Sequence, residues 1–436
     1  MKASRPHPTA AYHFVPYLLI IIVLLVYTLG ASAHNGLIAR SAPSAHQYDP
    51  LTFRAFVARR QVWQAAALDP ALFPCVRLPD GGVLPATASR CDPASDITPA
   101  GDSVLFNALL CYAGDLRGCE AVAASQGPDG RWWRSPLHVG WEDPRTGSDR
   151  QTSFSRDHAL GVLLYLALTQ DAQAAGRWLD WMDDHRGPLG QLRVCPDPKS
   201  VTDCDVTPNL YSLMYKVWSA IPGLEPTLEM TLFKNAGDEA ISLQAIAATS
   251  PGYQLHLHVV DVLIKRVTGQ GVTSSLAAAI VAKQPDNTFY RWLDGQDPQS
   301  IAADVLDRWC VFDSPDDYRV GEQNDWIWQR DTAEPGLAER TLAWDCLFVA
   351  DLLDIPPVDP SLLPANANGA LFVDGTAHAG GNGSRRAPFT TVTAAHAAAW
   401  DGAVLAIQAG AYNESLVLDR RVALLPIGGI ISIEGK

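Results

Sequence analysis

Ser153–Gln170, SFSRDHALGVLLYLALTQ, is the stretch whose reading decides the fold. It opens on a polar cluster, Ser155-Arg156-Asp157-His158. It then runs through Ala159, Leu160, Val162, Leu163, Leu164, Leu166, Ala167 and Leu168. Wound as a helix, that run is apolar on every side, as suits a helix enclosed by protein. It is too short and too mixed to span a bilayer. The reading is an inner helix of a large helical domain, with charged residues gathered at its N-terminal end.

The next segment, Asp171 to His185, places Trp178, Leu179, Trp181 and Met182 among Arg177, Asp180, Asp183 and Asp184. That pattern is amphipathic, so an inner helix is followed at once by an outer one. Further helices are expected at 51–68, 103–112, 209–220, 238–248, 253–267, 273–283 and 337–353, all from apolar spacing. The segments 69–100, 127–152 and 285–335 carry the Pro, Gly and Asp of loops.

Helical hairpins of this kind across residues 51–354 resemble the α/α toroids of six-hairpin glycosidases and of toroid polysaccharide lyases. The resemblance implies a mainly α fold and a site at the helix ends. A Pro/Asn-rich linker follows at 355–369 (IPPVDPSLLPANANG). Beyond it, LFVDG, PFTTV and GAYNESLVLD, with short strands expected at 404–408, 416–418, 422–425 and 430–433, resemble the opening of a pectin-lyase-like right-handed parallel β-helix. That implies a small β-rich module over 370–436, without the later coils on which such enzymes carry their catalytic residues.

Composition limits function. The 436 residues carry a net charge of −14, which repels phosphate backbones and argues against a nucleic-acid partner. Residues 1–33 hold Lys2, Arg5, an apolar run over 14–29 and Ala31-Ser32-Ala33. They read as a signal peptide or an uncleaved membrane anchor, with a flexible stretch at 34–50. The chain is therefore expected outside the cytoplasm, touching a membrane only through that segment. Eight cysteines agree with export, and pairing between sequence neighbours is expected.

The candidate chemistry is carbohydrate chemistry. Asp102 and Asp157 stand at the starts of apolar helices, and Asp345 lies inside one. Two carboxyl groups facing one cleft could hydrolyse a glycosidic bond; alternatively Asp102 and Asp157 cap helix ends and Asp345 pairs with a base such as Arg340. His256, or a tyrosine, could act as base in an elimination from a uronic acid, with Arg156 on the sugar carboxylate. His158 adds a third polar group beside them. His256 and His258 lie about 200° apart on a helix, so a shared metal is not expected. Trp132, Trp133, Trp141, Trp326 and Trp328 sit in loops with Arg134, Arg330 and Asp331, a composition suited to stacking sugar rings or to plugging loop–core junctions. Phosphate loops, GxSxG, HExxH and EF-hand signatures are missing from the sequence, so neither cofactor nor metal is expected. The leading expectation is an exported protein that binds or cleaves polysaccharide; the rival is a surface scaffold without catalysis.

Overall fold

A computed structural model describes residues 46–70, 72, 102–140, 154–196, 204–270, 273–318 and 326–435. Residues 1–33, Trp141, Cys75 and Cys91 lie outside the described residues. The fold is mainly α. The helices are α1 (Pro50–Ala67), α2 (Ser103–Tyr112), α3 (Leu116–Ala123), α4 (Arg156–Thr169), α5 (Ala172–Asp184), α6 (Pro208–Ala220), α7 (Leu228–Leu232), α8 (Glu239–Ala248), α9 (Tyr253–Val267), α10 (Ser274–Lys283), α11 (Thr288–Leu293), α12 (Pro298–Asp304), α13 (Ala343–Leu352) and α14 (Val392–Ala398). Among the described residues, no helix is long and apolar enough to cross a membrane.

Helix α4 is the inner helix expected from its sequence: His158, Ala159 and everything from Gly161 to Ala167 are buried. It ends at Gln170, which takes the left-handed conformation (φ 54°). Asp171 then accepts the Ala174 N–H at 2.9 Å and starts α5, which buries only Ala174, Ala175, Trp178, Trp181 and Met182. Helix α4 crosses α2 very closely. A Cβ on Gly161 would come within 2.7 Å of the Leu105 Cα, so only glycine allows this approach.

Contacts between helices run from α1 to α13, then α2, α4, α9, α10, α11 and α12, and α12 returns to α1. Helix α6 covers α4 and α9, and α8 lies on α10. Among the described residues, three disulfides join sequence neighbours: Cys111–Cys119, Cys195–Cys204 and Cys310–Cys346. They are the bonds of a chain that folds in an oxidising compartment, outside the cytoplasm.

The C-terminal part forms a three-stranded parallel sheet, β1 (Ala370–Val373), β2 (Val404–Tyr412) and β3 (Ala423–Ile433), in that order. Two expectations change here. Leu416–Leu418 pairs with no strand and leaves Val417 79% exposed. The two short strands expected at 422–425 and 430–433 merge into β3, where an irregularity opposite Gln408–Gly410 takes up the register shift. Strand alternation splits the module's apolar residues. Leu371, Val373, Leu405 and Ile407 pack with Val392 and Ala395 of α14 in a small core. Ala370, Phe372, Val404 and Ala406 join the large helical core.

The segment 355–369 lies on α1, where Arg54 donates to the carbonyls of Pro360, Leu363 and Pro364. A buried polar seam runs between helices and sheet. Asp351, with no exposed surface, meets Arg60 at 2.7 Å and Arg385 at 3.0 Å. Asp354 accepts the Arg385 backbone N–H at 2.7 Å and faces His46 at 3.8 Å.

Burial pushes Asp354 from 3.8 up to about 7, although Arg386 and Arg385 pull it down. Between those values the folded chain holds a proton that the unfolded chain has lost. Stability from this group is therefore full below about pH 4 and falls as pH rises through 7. Asp354→Asn stays neutral, keeps an acceptor for Arg385 and suits the left-handed backbone at this position (φ 55°). In chemical denaturation the variant should match the wild type near pH 4 and exceed it at pH 8. A difference of about three pH units sets an upper bound on the order of 4 kcal/mol. No gain at pH 8 would show that Asp354 is ionised at little cost.

Candidate functional site

The N-terminal ends of three helices lie together beside one pocket: those of α2 and α9 line it, and Asp157 and His158 of α4 stand behind Tyr253 and Asp102. Asp102 precedes α2, Asp157 and His158 lie in the first turn of α4, and Tyr253 and His256 lie in the first turn of α9. The pocket has a volume of about 420 Å³ and is lined by Asp102, Pro251, Gly252, Tyr253, Gln329, Arg330, Asp331 and Glu334.

Local chemistry explains how each wall is held. Helix α9 can begin at Tyr253 because Gly252 turns the chain with φ 96°, a value other residues rarely take. Gln284 ties the walls together: its Oε1 accepts the Gly252 N–H at 3.1 Å and its Nε2 donates to the Arg330 carbonyl at 2.5 Å. Asn287 adds a bond to the Trp328 carbonyl at 3.0 Å.

Asp102 occupies the N-cap position of α2, but its side chain makes no capping bond. It turns instead to His158, whose Nε2 lies 2.9 Å from Oδ1, with Arg134 at 3.7 Å from the same oxygen. The Asp102 side chain keeps 18% exposure, onto the pocket. Burial works to raise its pKa, but the His158 bond and the charges around it prevail and hold the carboxyl below its ordinary value. Asp102 is therefore ionised at neutral pH.

His158 is the neutral member of the pair. Its Nδ1 lies 3.1 Å from the Ser155 backbone nitrogen, which can only donate. The lone pair must therefore be on Nδ1 and the proton on Nε2, pointing at Asp102. Burial and Arg134 push the imidazole down, which agrees. The Ser155 Oγ, 2.7 Å from Nδ1, meets a nitrogen already occupied by that backbone donor. Ser155, His158 and Asp102 thus form a hydrogen-bonded array that orients a carboxylate.

The Asp157 carboxylate accepts a short hydrogen bond from the Tyr253 hydroxyl, joining α4 to α9. Burial and the Asp157 charge push the phenol well above its ordinary value, so Tyr253 keeps its proton. His256 is fully buried beneath this rim and packs near Phe289. Burial lowers it to about 4 despite the charge of Asp102, leaving a neutral ring.

The remaining candidates lie elsewhere. Asp345 has no exposed surface and is absent from the pocket wall; it accepts the Leu342 N–H at 2.9 Å and the Ile327 N–H at 3.4 Å. It caps α13 and pins the earlier segment at Ile327 to the core, a structural task. The expected partner Arg340 reaches Glu334 instead. Trp132, Trp326 and Trp328 are buried to 1% exposure or less, and Trp133 lies beneath the Arg131 guanidinium. Trp326 stacks on Phe106 and Trp328 donates to the Asp345 carbonyl. These indoles plug loop–core junctions and offer no face to a sugar. Arg330 does line the pocket, 3.9 Å from Glu334. Arg156 is half-buried at the first position of α4 and is not among the lining residues. His258 turns to Thr249 and shares no site with His256. Among the described residues, no three His, Cys, Asp or Glu side chains gather closely enough to hold a metal ion.

Comparison of the chain with protein-family models, characterised proteins and solved structures returns no match. The pocket has to be read from its own chemistry. Tyr253, Gln329 and Glu334 complete the pocket lining beyond the residues expected from sequence. The Pro251-Gly252 break marks Tyr253 as the opening of a helix, but nothing local marks Gln329 or Glu334.

Proposed function

We propose that the protein binds a polysaccharide at the meeting point of α2, α4 and α9 and hydrolyses it with a pair of carboxyl groups. The observation that carries this reading is Asp102: an ionised carboxylate at a helix N-cap, released from capping, held by a neutral imidazole and presented to a pocket. Such a group serves as general base or nucleophile at an anomeric carbon. Asp157, bonded to Tyr253 on the next helix end, is the second carboxyl. The circuit of helix contacts supports an α/α-toroid-like arrangement, and the three parallel strands support a β-helix-like C-terminal module.

Elimination from a uronic acid is the second reading, favoured by Tyr253 and Arg330 lining the same pocket. One assay separates the two. The secreted chain is incubated with a panel of neutral and uronate polysaccharides. New reducing ends without ultraviolet-absorbing products indicate hydrolysis, and unsaturated uronates indicate elimination. Asp157→Asn is expected to reduce product by about 10²–10⁴-fold while leaving the melting temperature in place. Lost stability with no effect on turnover would make Asp157 a structural link, and no product from any polysaccharide would leave the scaffold reading.

A further inference from the structure

Charge decides what the pocket can hold. Asp102, Asp331 and Glu334 line it, and Arg330 is the one guanidinium among the described lining residues. Asp157 adds a further carboxylate behind Tyr253. Arg134 and Arg340 come to 3.7 Å of Asp102 and 3.8 Å of Glu334 without lining the cavity. The N-terminal ends of α2 and α9 contribute roughly half a positive charge each, too little to offset these carboxylates. Asp331 is the clearest case. Its carboxylate accepts the Ala333 N–H at 3.0 Å and makes no ion pair among the described residues. The Asp102 side chain, 18% exposed, meets His158 and Arg134 through Oδ1 alone. Tyr253 supplies a second kind of attraction. It keeps 38% exposure at the pocket, while its hydroxyl is tied to Asp157. An anchored, exposed aromatic ring attracts a ligand cation.

From this arrangement we infer that the pocket takes a cationic, amino-bearing saccharide, of the class of a deacetylated glucosamine polymer. The ligand's ammonium groups donate to the carboxylates of Asp331 and Asp102, a charge-assisted contact, and a sugar ring packs on Tyr253. A uronate would meet the same carboxylates with Arg330, itself 3.9 Å from Glu334, as the sole lining cation. An N-acetylated ring loses the charge and keeps only the packing. The inference rests on the polysaccharide reading above and names its ligand class.

Binding to the full chain is measured on ice, in mildly acidic buffer, with short oligomers of glucosamine, N-acetylglucosamine and galacturonate. The glucosamine oligomer should bind roughly tenfold more tightly than its acetylated counterpart, the difference expected of one hydrogen bond to a charged group, and the galacturonate oligomer should bind least. Asp331→Asn, at a partly exposed position where folding is not at issue, should remove most of that advantage. Asp184→Asn makes the same charge change at an exposed position of α5 that is absent from the pocket wall, and should leave the advantage intact. The pair of variants separates the pocket from the overall charge of −14. No binding of the glucosamine oligomer, preference for galacturonate, or equal losses in the two variants would overturn the inference. Equal binding of the acetylated oligomer would overturn it too, while leaving the polysaccharide reading in place. Hydrolysis is scored separately. A glucosamine oligomer that binds and is not cleaved upholds the inference and counts against the hydrolase reading alone.

Discussion

Asp102→Asn is expected to lower turnover by about 10²–10⁴-fold with little change in the melting temperature. The substitution keeps the shape of the side chain and an oxygen to accept the His158 Nε2–H, now 2.9 Å away. It removes only the negative charge. Because Asp102 makes no capping bond to α2, the helix loses no N-terminal support. A base at this position gives activity an acid limb. Asp102 is held below its ordinary value, so activity should persist to lower pH than an unperturbed carboxylate would allow, and fall only where the carboxylate is protonated. Retained turnover in Asp102→Asn would reject Asp102 as the base. A matching loss of stability and activity would make the His158 pair a strut.

The largest effect on stability should come from Asp351→Ala. The carboxylate has no exposed surface and is shared by Arg60, itself 2% exposed, and Arg385 from the C-terminal module. Removing it leaves two guanidinium groups without their shared ion-pair partner, with only the more remote charge of Asp115 acting on both. Breaking a buried pair in this way costs about 3–5 kcal/mol, enough to unfold many domains. The check is the denaturant midpoint at constant slope, followed by both far-ultraviolet signal and tryptophan fluorescence. Arg60→Met in the same background should restore part of the loss, because the interior then buries one fewer uncompensated charge. If Asp351→Ala melts like the wild type, water must already screen the seam.

Much of this was legible in the chain itself. An uninterrupted apolar run is hard to place anywhere except inside, so α4 followed from its composition, and α5 from its single apolar face. Neighbouring cysteines close short loops easily, and Cys111–Cys119 and Cys195–Cys204 do so across eight and nine residues. The strands of the C-terminal module were visible as short apolar runs, but their lengths depended on which partner each one found. The site was legible only in parts. Asp102 and Asp157 announced themselves at helix starts. Their separation into an array with His158 and a link to Tyr253 depends on contacts across 56 and 96 residues. Tryptophans misled for a physical reason: indole in a Gly- and Asp-rich segment suits a sugar-binding loop and a core plug equally, and only burial tells them apart. Asp345 misled likewise, because a carboxylate inside an apolar helix can satisfy itself with backbone N–H groups invisible in sequence.

The bond that fixes the His158 imidazole comes from the main chain at position 155. Every residue except proline supplies that N–H, so this part of the site is encoded by the path of the backbone and survives almost any codon change at that position. The serine hydroxyl is free to vary without releasing the ring. Drift can therefore erase the Ser-x-x-His signature from a descendant while the orientation of Asp102 persists, and a search for kin by conserved side chains would pass over chains that share the device.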